Sequence, residues 1–282
     1  MMNVFADSWT LIKASAAVLN KDKELLIFPV ISSIGMVVLT LVFLLPMLFT
    51  GVAADLSNSS LNFGSCVLLF LFYILQYFII FSSNTALVGA ALIRLRGGDP
   101  TLADGVRIAW KHLVPILGYA LIAATIGLIL NTIRNKSKGF GSLLVGIFGM
   151  VWNVATFLVV PILAVEDVGP VEAIKRSIAY LKKTWGEQLV GSFSLSAIFT
   201  LTGVTVFIVC VVAIILAANL GLPSWVFVLT VVGGLFLIML ISLISSTLNG
   251  IYTAAVYQYA ATGKTGEFFE NEVIQGAFHS QP

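Results

Sequence analysis

Six stretches of twenty or more mostly apolar residues run through this chain, and nothing constrains its folding more. They cover roughly Leu25–Ala53, Cys66–Ile93, Leu113–Ile133, Ser142–Val165, Leu189–Ala218 and Trp225–Ala260. A bilayer core about 30 Å thick is crossed by about 20 helical residues, so each stretch is long enough to span. Runs of about ten alternating residues, the mark of a membrane barrel, are not what these stretches look like. Composition excludes the soluble classes. Residues of the AVILMFWYC set make up 59% of the 282 residues and charged residues 10%, where a soluble domain carries about 25% charge. The chain cannot clothe a water-facing surface of its own size. The expected fold class is all-α: one polytopic transmembrane domain over residues 1–282. The first stretch is too long for a signal-peptide core and lies about 24 residues in, so it is expected to stay as an anchor.

Basic residues orient the spans. Twelve Lys and Arg fall on the side that holds the N-terminus, the 94–112 and 166–188 connections and the tail; Arg134, Lys136 and Lys138 fall on the other. The positive-inside bias therefore places both termini in the cytoplasm of a cell whose inner (plasma) membrane holds the protein. The tail, 263–282, is acidic with apolar anchors Phe268, Phe269, Ile274 and Phe278, and is expected to dock on the inner-face helices or bind a partner. A net charge of +2 gives no reason to expect nucleic acid.

Three segments on that side have helical spacing with one apolar and one charged face. Residues 5–19 align Phe5, Trp9, Ile12, Ala16 and Leu19. Residues 102–113 align Leu102, Val106, Ala109 and Leu113, and residues 171–185 align Val171, Ile174, Ile178, Leu181 and Trp185. Pro100 and Pro170 suit helix starts, and GGDP at 97–100 reads as a helix-ending turn. IKASAAVL at 12–19 matches IKRSIAYL at 174–181 in five places, and IAW at 108–110 is set against IAY at 178–180. Each segment precedes two spans. A threefold internal repeat follows, with units of about 1–93, 100–165 and 170–262, each a cytoplasmic amphipathic helix and two spans. Convergence of interfacial helices on the same residue types is the competing explanation.

Candidate site residues are few. The second span of each unit carries an asparagine: Asn84 in SSNTAL, Asn153 in WNVATF and Asn249 in STLNGI. Two readings stand. They are interhelical hydrogen bonds worth about 0.6 kcal/mol each, or a polar solute site about a threefold axis with all three side chains pointing into the bundle at similar depth. Lys175, Arg176, Lys182 and Lys183 with Trp185 either anchor the 171–185 helix and set topology, or contact anionic headgroups at about 1 kcal/mol per basic residue. Glu166 and Asp167 read as a solvated helix end. Cys66 and Cys210 lie in apolar runs as wall residues. His112 and His279 are too far apart in sequence to suggest a metal cluster. No nucleophile–base pairing stands out, so an enzyme is not expected, nor a cofactor or metal.

The segments SWTLIKASAAVLNKDKELLIFP, ALVGAALIRLRGGDPTLADG and GPVEAIKRSIAYLKKTWGEQLVG resemble an uncharacterised family of prokaryotic integral membrane proteins with a domain of unknown function. More distantly, Gly-Pro followed by Ala-Ile-Lys-Arg-Ser and Trp-Gly is similar to the membrane domain attached to some glycerophosphodiester phosphodiesterases. That domain is not the catalytic part, and no room remains here for a catalytic barrel. The resemblance implies a six-span membrane protein of no assigned reaction. The expected function is non-enzymatic: organising lipid or a protein partner at the cytoplasmic face, with a second copy of the chain also open as a partner. The alternative is a small-solute channel or carrier using the intramembrane Asn, Ser and Thr residues.

Overall fold

The computed structural model describes residues 2–49, 52, 62–136, 140–184, 190–220 and 223–264, and among them every regular element is helical. Helix α1 (Met2–Lys21) leads through a 3₁₀ turn (Lys23–Leu26) into α2 (Ile27–Phe49), and α3 (Phe63–Leu95) returns. Short α4 (Leu102–Lys111) precedes α5 (Leu113–Lys136), α6 (Phe140–Ala155) and α7 (Val159–Val165). Then come α8 (Pro170–Thr184), α9 (Val190–Asn219) and α10 (Ser224–Thr262). Among the described residues six segments are long and apolar enough to cross a membrane: Lys23–Phe49, Phe63–Leu95, Leu113–Arg134, Gly141–Val165, Ile198–Asn219 and Ser224–Thr262. The sequence placed five of them within about four residues at each end; the fifth was drawn from Leu189, nine residues before Ile198.

Local chemistry sets the boundaries. Asn62 caps α3, its side chain accepting from the Ser65 N–H at 2.8 Å. The GGDP turn ends that helix as expected. Gly97 takes the left-handed conformation, φ +84°, and the Gly98 N–H donates to the Ile93 carbonyl at 2.9 Å, the reciprocal closure that only glycine adopts cheaply. Thr101 and Asp104 then form a capping box on α4. Pro170 is the first residue of α8, whereas Pro100 stands just before the Thr101 cap. The fourth span is broken between Ala155 and Val159. Pro161 has no N–H for the carbonyl four residues back, and the Leu158 N–H leaves the ladder to donate to Ser177 Oγ of α8 at 3.2 Å.

Tight packing lies at one end of the bundle, here termed the capped end, where α1, α4 and α8 join the spans. The core there is built from Leu87, Ala91 and Leu92 of α3, Leu158, Ile162 and Leu163 around α7, and Ile251, Ala254 and Ala255 of α10. Helix α4 packs chiefly on α3, α8 on α7, and α1 on α10. Toward the far end the spans turn large apolar side chains outward, among them Leu41 and Leu45 of α2 and Val228 and Leu235 of α10. Helix α10 is 39 residues long, about 58 Å at 1.5 Å per residue. Its last third stands in the capped-end core.

The faces drawn for the amphipathic helices need correction. Val106 and Val171, expected inside, are exposed at 50% and 56%. The buried stripes are Leu11, Ser15 and Leu19 in α1, Gly105 and Ala109 in α4, and Ala173, Ser177 and Leu181 in α8. These stripes centre on small residues, which let helix backbones approach closely. At Gly105 an added Cβ would stand 2.5 Å from the Phe28 ring and 2.8 Å from the Ala86 carbonyl. Setting IAW against IAY is likewise out of register: Ala109 is buried and Ala179 exposed, and Ala109 matches Leu181. Phe5 and Trp9 have side chains outside the described set.

Candidate functional site

Polar latches close the capped end. Asp22, at the junction of α1 and the first span, makes a bidentate pair with Arg94 near the end of α3, and both side chains are under a tenth exposed. Asp99 adds a further contact to Arg94 from the surface, its side chain 91% exposed. His112 takes the corresponding junction between α4 and α5. Its Nε2 meets Asp167 Oδ1 at 3.0 Å and its Nδ1 meets the Ile108 carbonyl at 2.9 Å. Lys111 approaches the same carboxylate at 2.9 Å. Hydrogen bonds first from Lys111 and then from His112 hold Asp167 below its ordinary pKa.

Glu166 is a second correction, for it is no solvated helix end. Its side chain is 14% exposed and accepts from Arg176 at 2.5 Å, Tyr180 Oη at 3.0 Å and Tyr257 Oη at 2.9 Å. This ties α7, α8 and α10 together. Burial, then the bond to Glu166, raises the Tyr180 hydroxyl above its usual pKa. Asp167, 72% exposed, remains at the surface, but it is paired.

The candidate basic cluster divides. Arg176 is committed to Glu166 and also to Glu172 at 3.3 Å, and its pKa is raised by those two bonds in that order. Lys175 and Lys182 are exposed and share the outward face of α8 with Val171 by helical spacing. The side chain of Lys183 and all of Trp185 fall outside the described residues, as does the tail beyond 264. On α4, Trp110 is 73% exposed and stands with Val106 on the outward side beside exposed Arg107.

Two cavities lie between the spans. One, about 400 Å³, is walled by α2, α3 and α10, and includes Pro29, Ser33, Met36, Asn84, Ser242 and Ser246. The other, about 440 Å³, is walled by α3, α5 and α6, and includes Tyr77, Phe81, Tyr119, Trp152, Asn153 and Arg134. They share no residue, yet part of each lining stands at a fixed interval from part of the other. Pro29, Ser33 and Met36 recur at one constant interval as Tyr119, Ala123 and Ile126; Ile80 and Asn84 recur as Gly149 and Asn153; Tyr77 and Phe81 recur as Ser242 and Ser246.

Asn84 and Asn153 line separate cavities, and the three asparagines are not brought into one cluster. Asn249 lines neither of these cavities and donates within its own helix to Ser245 Oγ at 3.5 Å. Asn153 is exposed, so the expectation that all three point into the bundle does not hold. Sequence reasoning missed the latch residues Asp22, Arg94, His112 and Glu166. The available signal was a charge or imidazole at each helix junction.

These features define an all-helical membrane-spanning protein whose polar pairs lie at one end and whose cavities lie between its spans. Within that class the chain belongs to the family described as "Family of unknown function (DUF6159)", whose model matches residues 63–269. No curated protein and no solved structure matches it, and the resemblance to the membrane domain of glycerophosphodiester phosphodiesterases finds no support there.

Proposed function

We propose that the protein is a non-enzymatic membrane protein of three equivalent units that gathers anionic lipid at its capped face. The observation that carries this reading is the outward face of the short helices. Once Arg176 is spent on Glu166 and Glu172, Lys175 and Lys182 remain exposed beside Val171, and Trp110 stands with Val106 and Arg107. Exposed apolar and aromatic groups interleaved with basic ones suit a headgroup boundary. The capped face is the cytoplasmic side by the twelve-to-three distribution of Lys and Arg, which also puts both termini there, in an inner (plasma) membrane.

The three-unit reading is supported by packing. Helix α4 lies on the second span of the first unit, α8 on that of the second, and α1 on that of the third, a cyclic order. Ser15, Gly105 and Ser177 occupy matching buried places. The constant intervals between the two cavity linings follow from the same repeat.

The test is to purify the chain in a mild nonionic detergent and quantify bound anionic lipid. Lys175→Gln with Lys182→Gln should lower it by about fivefold per residue, from about 1 kcal/mol each. Unchanged lipid reduces these residues to anchors. A second reading, a solute carrier, draws on the cavity that sets Asn84 among Ser32, Ser33, Ser242 and Ser246. Uptake of small neutral solutes into proteoliposomes, absent in Asn84→Leu, favours it instead.

A further inference from the structure

The two matching cavities differ in one respect that the fold does not demand. Arg134 is the one charged residue lining either of them. It ends the third apolar span, and no acidic residue among the described ones pairs with it. The interval that carries Pro29 onto Tyr119 carries Leu44 onto Arg134 and Leu41 onto Asn131. Leu41 and Leu44 are simply exposed apolar residues of α2. The same helical position is therefore satisfied by leucine, and its arginine and asparagine call for a separate reason.

The shape of the cavity supplies one. Tyr119 and Arg134 both line it from α5, and fifteen residues of helix cover about 22 Å. A volume of about 440 Å³ spread along that length makes it an elongated slot rather than a round pocket. Its middle is walled by Ala123, Ile126, Leu130 and Phe81. Phe81 meets Tyr119 with the rings tilted at 32° and their centroids 4.4 Å apart. Gly127 keeps the slot open, since a Cβ there would approach the Tyr77 hydroxyl to 3.2 Å. Asn131, Arg134 and Asn153 are exposed along it, so it is open from outside.

We propose that this slot binds one anionic amphiphile, its phosphate or carboxylate head on Arg134 and Asn131 and its hydrocarbon tail along the α5 wall. The inference rests on the lipid reading above and assigns it a specific site at the opposite end of the spans. An arginine at a span end with no carboxylate partner among the described residues offers a charge-assisted hydrogen bond to an anionic head. A tail in the slot covers apolar wall that is otherwise open.

The full chain in a nonionic maltoside detergent is titrated with dodecyl phosphate, with dodecanol, and with inorganic phosphate. Binding is read by native mass spectrometry and by the fluorescence of Trp152, taken as wild type minus Trp152→Phe. Dodecyl phosphate is expected to bind one per chain. Arg134→Leu, which reproduces Leu44, should weaken it about fivefold or more, to the level of dodecanol, and Arg134→Lys should retain most of the binding. Gly127→Leu should abolish binding of both chain probes with the charge intact. Equal binding by wild type and Arg134→Leu overturns the proposal. So does inorganic phosphate giving the Trp152 response at the same concentration as dodecyl phosphate, since that is a free-anion site with no tail. Failure here leaves the capped-face test standing, because that test reads total anionic lipid under substitution of Lys175 and Lys182.

Discussion

Replacing Asp22 by Ala should cost far more than replacing Asp99 by Ala, although both carboxylates contact Arg94. The Asp22 and Arg94 side chains are 9% and 8% exposed, and the pair is bidentate; Asp99 is 91% exposed. Removing one partner of a buried pair strands the other charge away from water, a loss of about 3–5 kcal/mol. An exposed partner is screened, and its loss costs about 0–1 kcal/mol. Among the described residues Asp22→Ala leaves Arg94 with only the screened contact, so the first figure applies. Arg94→Leu strands the Asp22 carboxylate in the same way. The double variant Asp22→Leu/Arg94→Leu removes both charges from an apolar surround and should be more stable than either single change. The assay is equilibrium unfolding in mixed micelles, followed by circular dichroism. Equal losses for Asp22→Ala and Asp99→Ala, or a double variant as unstable as the sum of its parts, would refute this account of the capped end.

Ser177→Ala removes the acceptor of the Leu158 N–H at the break in the fourth span, and should destabilise by about 1–3 kcal/mol in the same assay. Gly105→Ala drives a Cβ into the Phe28 ring and the Ala86 carbonyl; about 1–3 kcal/mol is expected, with no comparable loss for Gly149→Ala, where nothing lies within reach. Asp167 is held below its ordinary pKa by Lys111 and His112, so its contribution is present above about pH 4, the ordinary carboxylate value. It is lost as the pH falls through the lowered value. Thermal unfolding of Asp167→Asn should therefore fall less steeply below about pH 4 than that of wild type, and superposable curves contradict the latch. Reporter fusions at Lys138 and Pro282 should report opposite sides of the membrane; the same side for both removes the assigned topology.

The spans were legible because hydrocarbon imposes length and apolarity on each crossing helix, and both are visible in residues such as those from Leu113 to Arg134. Helix ends were legible where local chemistry decides them, as at Gly97 and at Pro170. The faces of the short helices were not. Hydropathy gives weight to Val106 and Val171, while burial went to Ser15, Gly105 and Ser177, because close approach of backbones rewards small side chains rather than oily ones. Glu166 was misjudged for a related reason. Its partners Tyr180 and Tyr257 lie fourteen and ninety-one residues away, and a pairing that distant has no local signature. The asparagines stand out by pattern, and Asn84 and Asn153 each line a cavity between spans. A common axis was assumed, and the cavities divided them instead.

The central claim is that three equivalent units hold lipid rather than conduct solute, and a cryo-electron microscopy map of the chain in nanodiscs containing phosphatidylglycerol tests it most directly. The account predicts elongated lipid density in the slot from Tyr119 to Arg134, headgroup density beside Lys175 and Lys182, and side chains filling the capped end around Arg94 and Ile251. A continuous water-filled path from one face to the other, with both cavities opening into it and no lipid in either, would contradict it.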